Sequence, residues 1–207
     1  RDAALAAAWA FVDVGDYRGG RALARPWCAD PWKGGDPVVQ QVCTPRPEHG
    51  LVEGVAGRFA LDPNFAYGVM QAESALDPAV TSIAGARGLM QLMPAEAGRI
   101  HKNLFGNDDY HPDDLYSAPY NAALGTAELG DKRVLLEGVL ASNAMPAVIA
   151  SYNGGVEAVQ RWRSAWEEPP DPDAFAEAIG YTETRQYVRI VLGHTMAYRW
   201  VYGDSER

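Results

Sequence analysis

Apolar positions recur at helical spacing over most of the chain. From Ala3 to Val14, Leu5, Trp9 and Val12 fall on one face and predict an amphipathic helix. Gly15-Asp16 interrupts the pattern, and a second helical stretch runs from Tyr17 through Leu23 and Ala24. The period is lost between Ala24 and Pro47, where seven prolines and glycines predict an ordered linker or a stapled loop. It resumes at Glu48 or His49 and passes through Val52, Val55 and Phe59. Asp62 then supplies a helix N-cap and Pro63 the first helical position. Phe65, Val69 and Glu73 follow at i, i+4 and i+8 on one face, and Asp77-Pro78 closes the element. Further helices are predicted over Pro94–Leu104, Asn121–Leu136, Pro146–Tyr152, Val156–Trp166, Phe175–Ile179 and Thr184–Val201. The last carries Tyr187, Ile190, Val191, His194 and Tyr198 at helical spacing.

This pattern carries Glu73 toward the interior on an apolar face. Such a carboxyl has two readings. Buried without a partner, it loses hydration, holds its proton to higher pH and becomes an acid for work near neutrality. Alternatively it is a helix-end glutamate that turns to solvent or pairs with an arginine. Gln91, set among Leu89, Met90, Leu92 and Met93, must find partners if it is buried: a ligand's amide, or local backbone. Tyr152 ends an apolar helix before Gly154-Gly155, a helix stop. Its hydroxyl either donates to a carboxylate or reaches backbone from the core. His101 reads as a surface residue.

Composition narrows the class. The 207 residues carry a formal net charge of -9, which argues against nucleic acid and against adhesion to an anionic membrane. No run of about eighteen apolar residues exists to span a bilayer. The acidic stretch from Asn107 to Asp114 lacks the central glycine and closing glutamate of an EF-hand loop and reads as a solvated loop with capping carboxylates. No cysteine or histidine pair has zinc spacing, and neither metal nor cofactor is expected. Cys28 and Cys43 flank a Pro/Gly-rich segment. A disulfide there would close a short loop, worth on the order of 3 kcal/mol; the alternative is two free thiols. Arg1-Asp2-Ala3-Ala4 has no secretory signal pattern and begins inside a helix, so the chain reads as a fragment or processed form of an exported protein.

Four blocks then become specific together. They are Glu73-Ser74-x-x-x-Pro78; Gly88-Leu89-Met90-Gln91-Leu92-Met93-Pro94; Ser151-Tyr152-Asn153-Gly154-Gly155; and Glu177-x-Ile179-x-Tyr181-x-Glu183-Thr184-Arg185-x-Tyr187-Val188. In this order they resemble the soluble lytic transglycosylase family, from about Leu51 onward. The resemblance implies a mainly α, lysozyme-like domain with little or no β over residues 51–207, preceded by a helical extension and disulfide-stapled linker over residues 1–50. The two short helices of the extension look like one tetratricopeptide-type unit, but no second copy is visible. In such a fold Ala75–Arg87 forms a small irregular lobe, and Gly125 matches a glycine where another helix packs closely.

Members of that family cleave the β-1,4 bond between N-acetylmuramic acid and N-acetylglucosamine in peptidoglycan. The muramoyl C6 hydroxyl, not water, attacks the anomeric carbon and leaves a 1,6-anhydro end. By the resemblance, Glu73 is the acid and then the base, and Tyr152 the tyrosine that orients it. Ser74, Ser82, Met90, Gln91, Asn153, Glu177 and Tyr187 are substrate-side residues. Glycan strands are the implied partner, for a monomer in the periplasm or cell envelope. Three positions depart from the family pattern: Ser151 and Gly155 each replace an alanine, and Gly180 replaces a proline, which puts the placement of Glu177 and Tyr181 in question. Two other readings remain: a goose-type lysozyme, for which Asp77 is the only nearby acid in sequence, and a non-catalytic peptidoglycan-binding domain.

Overall fold

The structure, a computed structural model, describes residues 1–28 and 36–203. The central part of the predicted stapled loop therefore lies outside the described residues. Eleven α-helices occur among those described: α1 (Asp2–Asp13), α2 (Tyr17–Ala24), α3 (Pro37–Cys43), α4 (His49–Arg58), α5 (Pro63–Ser74), α6 (Pro94–Phe105), α7 (Ala118–Leu135), α8 (Met145–Gly154), α9 (Val156–Arg163), α10 (Pro172–Ala178) and α11 (Thr182–Tyr202). Short 3-10 turns cover Arg25–Trp27 and Pro112–Tyr116. No strand forms among the described residues; the segment after α5 makes only isolated antiparallel bridges, Thr81 with Arg87 and Arg87 with Leu92. The fold is mainly α and lysozyme-like.

α5 organises the core. The Asp62 carboxylate caps it by accepting from the Asn64 amide at 2.9 Å. Every side chain from Asn64 to Gln71 is buried, so the helix is enclosed all round rather than along one stripe. α11 packs along it, with Val188, Val191 and Tyr198 buried and Tyr198 stacked on Tyr67 at 5.3 Å between centroids. α5 ends where Ala75 and then Leu76 take left-handed conformations, φ 54° and 68°. That abrupt stop leaves Glu73, in the last turn, half-buried, while the preceding turns are sealed.

Several expectations need correction. The Ala24–Pro47 stretch is not loop throughout: Asp36 caps α3, which runs from Pro37 to Cys43. Cys28 and Cys43 form a disulfide with a Cα separation of 5.6 Å. Around it Ala8, Ala24, Val39 and Val42 make a small apolar cluster with Trp9 and Trp27. The polar seam against α11 is built from carbonyls: Arg21 Nε donates to Cys43 O at 2.8 Å, Tyr202 to Thr44 O at 2.8 Å and Tyr198 to Pro45 O at 2.9 Å. His101 is buried, not on the surface. It accepts or donates at both ring nitrogens, to Tyr120 and to Asn107. Of the α11 residues at helical spacing, Val191 and Tyr198 are buried and Ile190 is half exposed. Gly125 does admit a close neighbour, but it is the Met90 side chain of the loop and not another helix. No helix among the described residues is long and apolar enough to cross a membrane.

Candidate active site

Glu73 projects from the last turn of α5 beside α11. Tyr187 reaches it from the first half of α11, its hydroxyl donating to Glu73 Oε1 at 2.5 Å. Burial pushes the Glu73 carboxyl up from its ordinary 4.5 to about 7. The hydrogen bond from Tyr187 opposes that rise, since it favours the charged form, and the charge of Glu128 adds to it. The Tyr187 and Tyr152 hydroxyls are both driven well above their ordinary value, chiefly by burial. They stay protonated and act as donors. The result is a carboxyl poised to give up or take a proton near neutral pH, with solvent access on one side and one fixed phenol donor.

The loop after α5 is held by side chains from α5, α7 and α8. Ser74 is buried, and its hydroxyl donates to Leu89 O at 2.8 Å with Met70 O 3.2 Å away. Asn121, from α7, holds the loop from below: its Oδ1 accepts from the Met90 amide at 2.8 Å, and its Nδ2 donates to Arg87 O at 2.8 Å and Leu115 O at 2.9 Å. Gln91 adopts φ 49° and donates its amide to Gly88 O at 2.9 Å and Val80 O at 3.0 Å. Its half-buried amide is thus satisfied by local backbone. Tyr152, from α8, donates to Met90 O at 2.8 Å.

These contacts redistribute the roles expected from sequence. The phenol on Glu73 is that of Tyr187; Tyr152 instead anchors the loop, the backbone-reaching alternative left open by its position. Ser74 spends its proton on Leu89 and clamps α5 to the loop. The Met90 side chain is fully buried against Gly125, so only its backbone faces Tyr152. Ser82 turns into its own loop, its hydroxyl accepting from the Ala86 amide at 3.0 Å. Asn153 is exposed and accepts from Thr184 at 2.6 Å, which ties α8 to α11. Glu177 is exposed and held by Arg189 at 2.6 Å. The Gly180 departure has a packing reason: a Cβ there would meet Trp162 Nε1 at 2.7 Å. Trp162 fills that space and meets Tyr181 edge-on at 5.1 Å. Asp77 caps the turn at Ala79, 2.9 Å, and pairs with Arg18 at 3.1 Å.

Sequence reasoning missed Glu128. It is buried on α7, paired with Lys132 at 3.2 Å, and its own carboxyl is raised by burial. A signal existed: it is the sole charge in Asn121–Gly130, with a lysine four residues on. Two cavities, about 380 and 570 Å³, open near the other end of α5 around Leu61 and Asp62. Neither is lined by Glu73, so chemistry and not cavity size locates the site.

A lysozyme-like helical fold with one desolvated, phenol-bonded carboxyl at a helix end defines a class, and comparison with known proteins names it. Residues 51–173 match the transglycosylase SLT domain, and the chain belongs to that family. It is 32% identical over 154 residues to a soluble lytic murein transglycosylase of Salmonella typhimurium, covering 70% of this chain and 22% of that protein. It is 33% identical over 150 residues to the Escherichia coli K12 protein of the same name, covering 69% and 21%. Among solved structures it resembles the 70 kDa soluble lytic transglycosylase of Escherichia coli, with TM-score 0.77, 26% identity, and coverage of 95% of this chain and 30% of that one. It also resembles an inactive mutant of the lytic transglycosylase Slt of Pseudomonas aeruginosa, with TM-score 0.74, 25% identity, and coverage of 93% and 29%. The chain thus spans about a fifth of the length of these curated relatives.

Proposed function

We propose that this chain is a peptidoglycan lytic transglycosylase domain, acting in the cell envelope on glycan strands. Glu73 in its protonated form gives its proton to the glycosidic oxygen as the bond to the anomeric carbon breaks. The resulting carboxylate then takes the proton of the muramoyl C6 hydroxyl as that oxygen closes on the anomeric carbon. One group serves both halves, so its proton affinity must lie near working pH. The observation that carries this reading is Glu73 itself, raised to about 7 by burial and bonded to Tyr187. Tyr187 supports the first half, because its hydrogen bond strengthens as the carboxyl gives up its proton and becomes charged. The names of the relatives support the same substrate class.

A hydrolase would need a second carboxylate to activate water from the other face of the sugar. Asp77, the candidate close in sequence, is engaged by the Ala79 amide and Arg18, which favours the intramolecular route. Digestion of purified sacculi followed by mass spectrometry tests it. Products ending in 1,6-anhydromuramic acid, one water lighter than reducing ends, are expected. Reducing ends would make the chain a hydrolase, and intact sacculi a binding module.

A further inference from the structure

The cavity of about 380 Å³ lies where the turn before α5, the last turn of α7, the start of α8 and the end of α11 meet. Along α5, Asp62 at its rim stands eleven residues before Glu73, about 16 Å at the helical rise. Part of its lining is apolar: Leu61, Phe65 and Val148 are buried side chains that border it. Its charged members are Asp62, Arg199 and Arg133. Arg199 Nε donates to Asp62 Oδ2 at 2.6 Å. Arg133 is held differently. It is half-buried, its Nη1 donates to Phe59 O at 3.1 Å, and among the described residues no carboxylate forms an ion pair with it. A cation in the last turn of α7 suits the helix dipole. The dipole explains the charge, but not a guanidinium folded back on Phe59 O beside an apolar hollow, with one of its five N–H groups spent there. Asn143 borders the same space. Its Oδ1 accepts from the Met145 amide at 2.9 Å, which leaves the Nδ2 hydrogens as its donor half. Ala60, also at the rim, holds a left-handed conformation with φ 47°, and strain of that kind collects at ligand sites.

We propose that this cavity binds a small organic carboxylate, its charged end on Arg133 and its apolar body over Leu61, Phe65 and Val148. A guanidinium presents paired N–H groups that match the two oxygens of a carboxylate, and Asn143 adds a neutral donor. Asp62 at the rim selects against a dianion, because like charges set side by side repel. The volume falls within the range of small-molecule sites. Two sources share this chemistry: a branched short-chain acid, and the C-terminal carboxylate of a short peptide. The site is separate from Glu73, and the proposal does not rest on the transglycosylase reading.

Amide-detected NMR of the whole chain tests it, with isovalerate as the probe for the first source and N-acetyl-D-alanine for the second. A bound probe should shift the backbone amides of Leu61, Asp62 and Val148 and saturate in roughly the millimolar range, as expected of so small a ligand. The matching amides, isovaleramide and N-acetyl-D-alaninamide, should bind at least about tenfold more weakly, having lost a hydrogen bond between charged groups. Arg133→Met keeps the apolar stem and should weaken binding about ten- to a hundredfold. Arg133→Lys keeps the charge without the fork and should fall between. Saturation by isovalerate alone supports the site and assigns it to the acid; saturation by N-acetyl-D-alanine alone supports it and assigns it to the peptide end. No saturable shift from either probe up to about 20 mM overturns the proposal. So do carboxylates that bind no tighter than their amides, or a folded Arg133→Met chain that binds as the wild type does. Inorganic phosphate binding as tightly as isovalerate also overturns it, since a bare charge would then suffice and the apolar lining would be idle.

Discussion

The two ends of the α5–α11 pair put ionisable groups into the same core with different results. At the far end Tyr67 stacks on Tyr198 and Tyr198 on Tyr202, with Arg21 against them and His194 nearby. Burial drives the Tyr198 hydroxyl far above its ordinary value and, with Arg21, pulls His194 down from 6.5 to about 4. These groups are locked in their neutral forms at neutral pH. The Tyr198 and Tyr202 hydroxyls are committed to the Pro45 and Thr44 carbonyls and act as mortar between the extension and the core. At the near end burial is incomplete, because α5 stops at a left-handed residue. There the same physics moves Glu73 only to about 7 and leaves it open to solvent. Perturbed proton affinity alone does not mark an active site. Perturbation into the working range, together with access, does.

The sharpest way to break this contrast is Glu73→Gln. It should lower lysis of purified sacculi by about 10³-fold, within the range for loss of a general acid–base group. The same change should stabilise the fold at pH 8. The folded carboxyl binds its proton up to about 7 and the unfolded one only to 4.5, so wild-type stability falls as pH rises through that window. Glutamine escapes this loss of up to about 3 kcal/mol, and denaturation at pH 5 and pH 8 reads the difference. Tyr187→Phe should cost ~10–100-fold in rate, from one hydrogen bond to a charged group. It should also move the alkaline limb of the rate upward, since that bond lowers Glu73. Tyr152→Phe should leave that limb in place and lose about 1 kcal/mol of stability, having released only Met90 O. These paired variants separate the phenol that tunes the acid from the one that holds the loop.

At the far end the effects should appear in stability alone. Replacing Cys28 and Cys43 by alanine should cost on the order of 3 kcal/mol with an unchanged pH profile of lysis. The smallest expected effect is at His194. Its folded value lies below its ordinary one, so its stabilisation is complete above about pH 6.5 and is lost as pH falls toward 4. His194→Gln should abolish that acid-side loss, about 1–2 kcal/mol after allowance for partial exposure. Thermal melts from pH 7 to 4 measure it. If either far-end change moved the alkaline limb of lysis, the separation between the two ends would fail.

Helix positions were legible because capping and period are local. Asp62-Pro63 opens α5 where expected. α3 was missed because Pro37 and two flanking glycine-rich residues look like loop, although Asp36-Pro37 is the same cap-and-proline start. Glu73 was legible from its place on an apolar face and from the family blocks. Its phenol was not, since Tyr187 lies 114 positions away and only the packing of α11 on α5 selects it over Tyr152. The contacts of Ser74 and Met90 were hidden for a related reason. A sequence shows which groups can bond, but not that Leu89 O and Gly125 lie close enough to claim them first.

Everything turns on how tightly one half-buried carboxyl holds its proton. Side-chain NMR of Glu73 across pH 3 to 9, with Glu73→Gln to assign the signal, measures that without substrate. A midpoint near 7 is predicted. A midpoint near the ordinary glutamate value of 4.5 would mean a hydrated carboxylate unable to donate at neutral pH, and the account would be wrong.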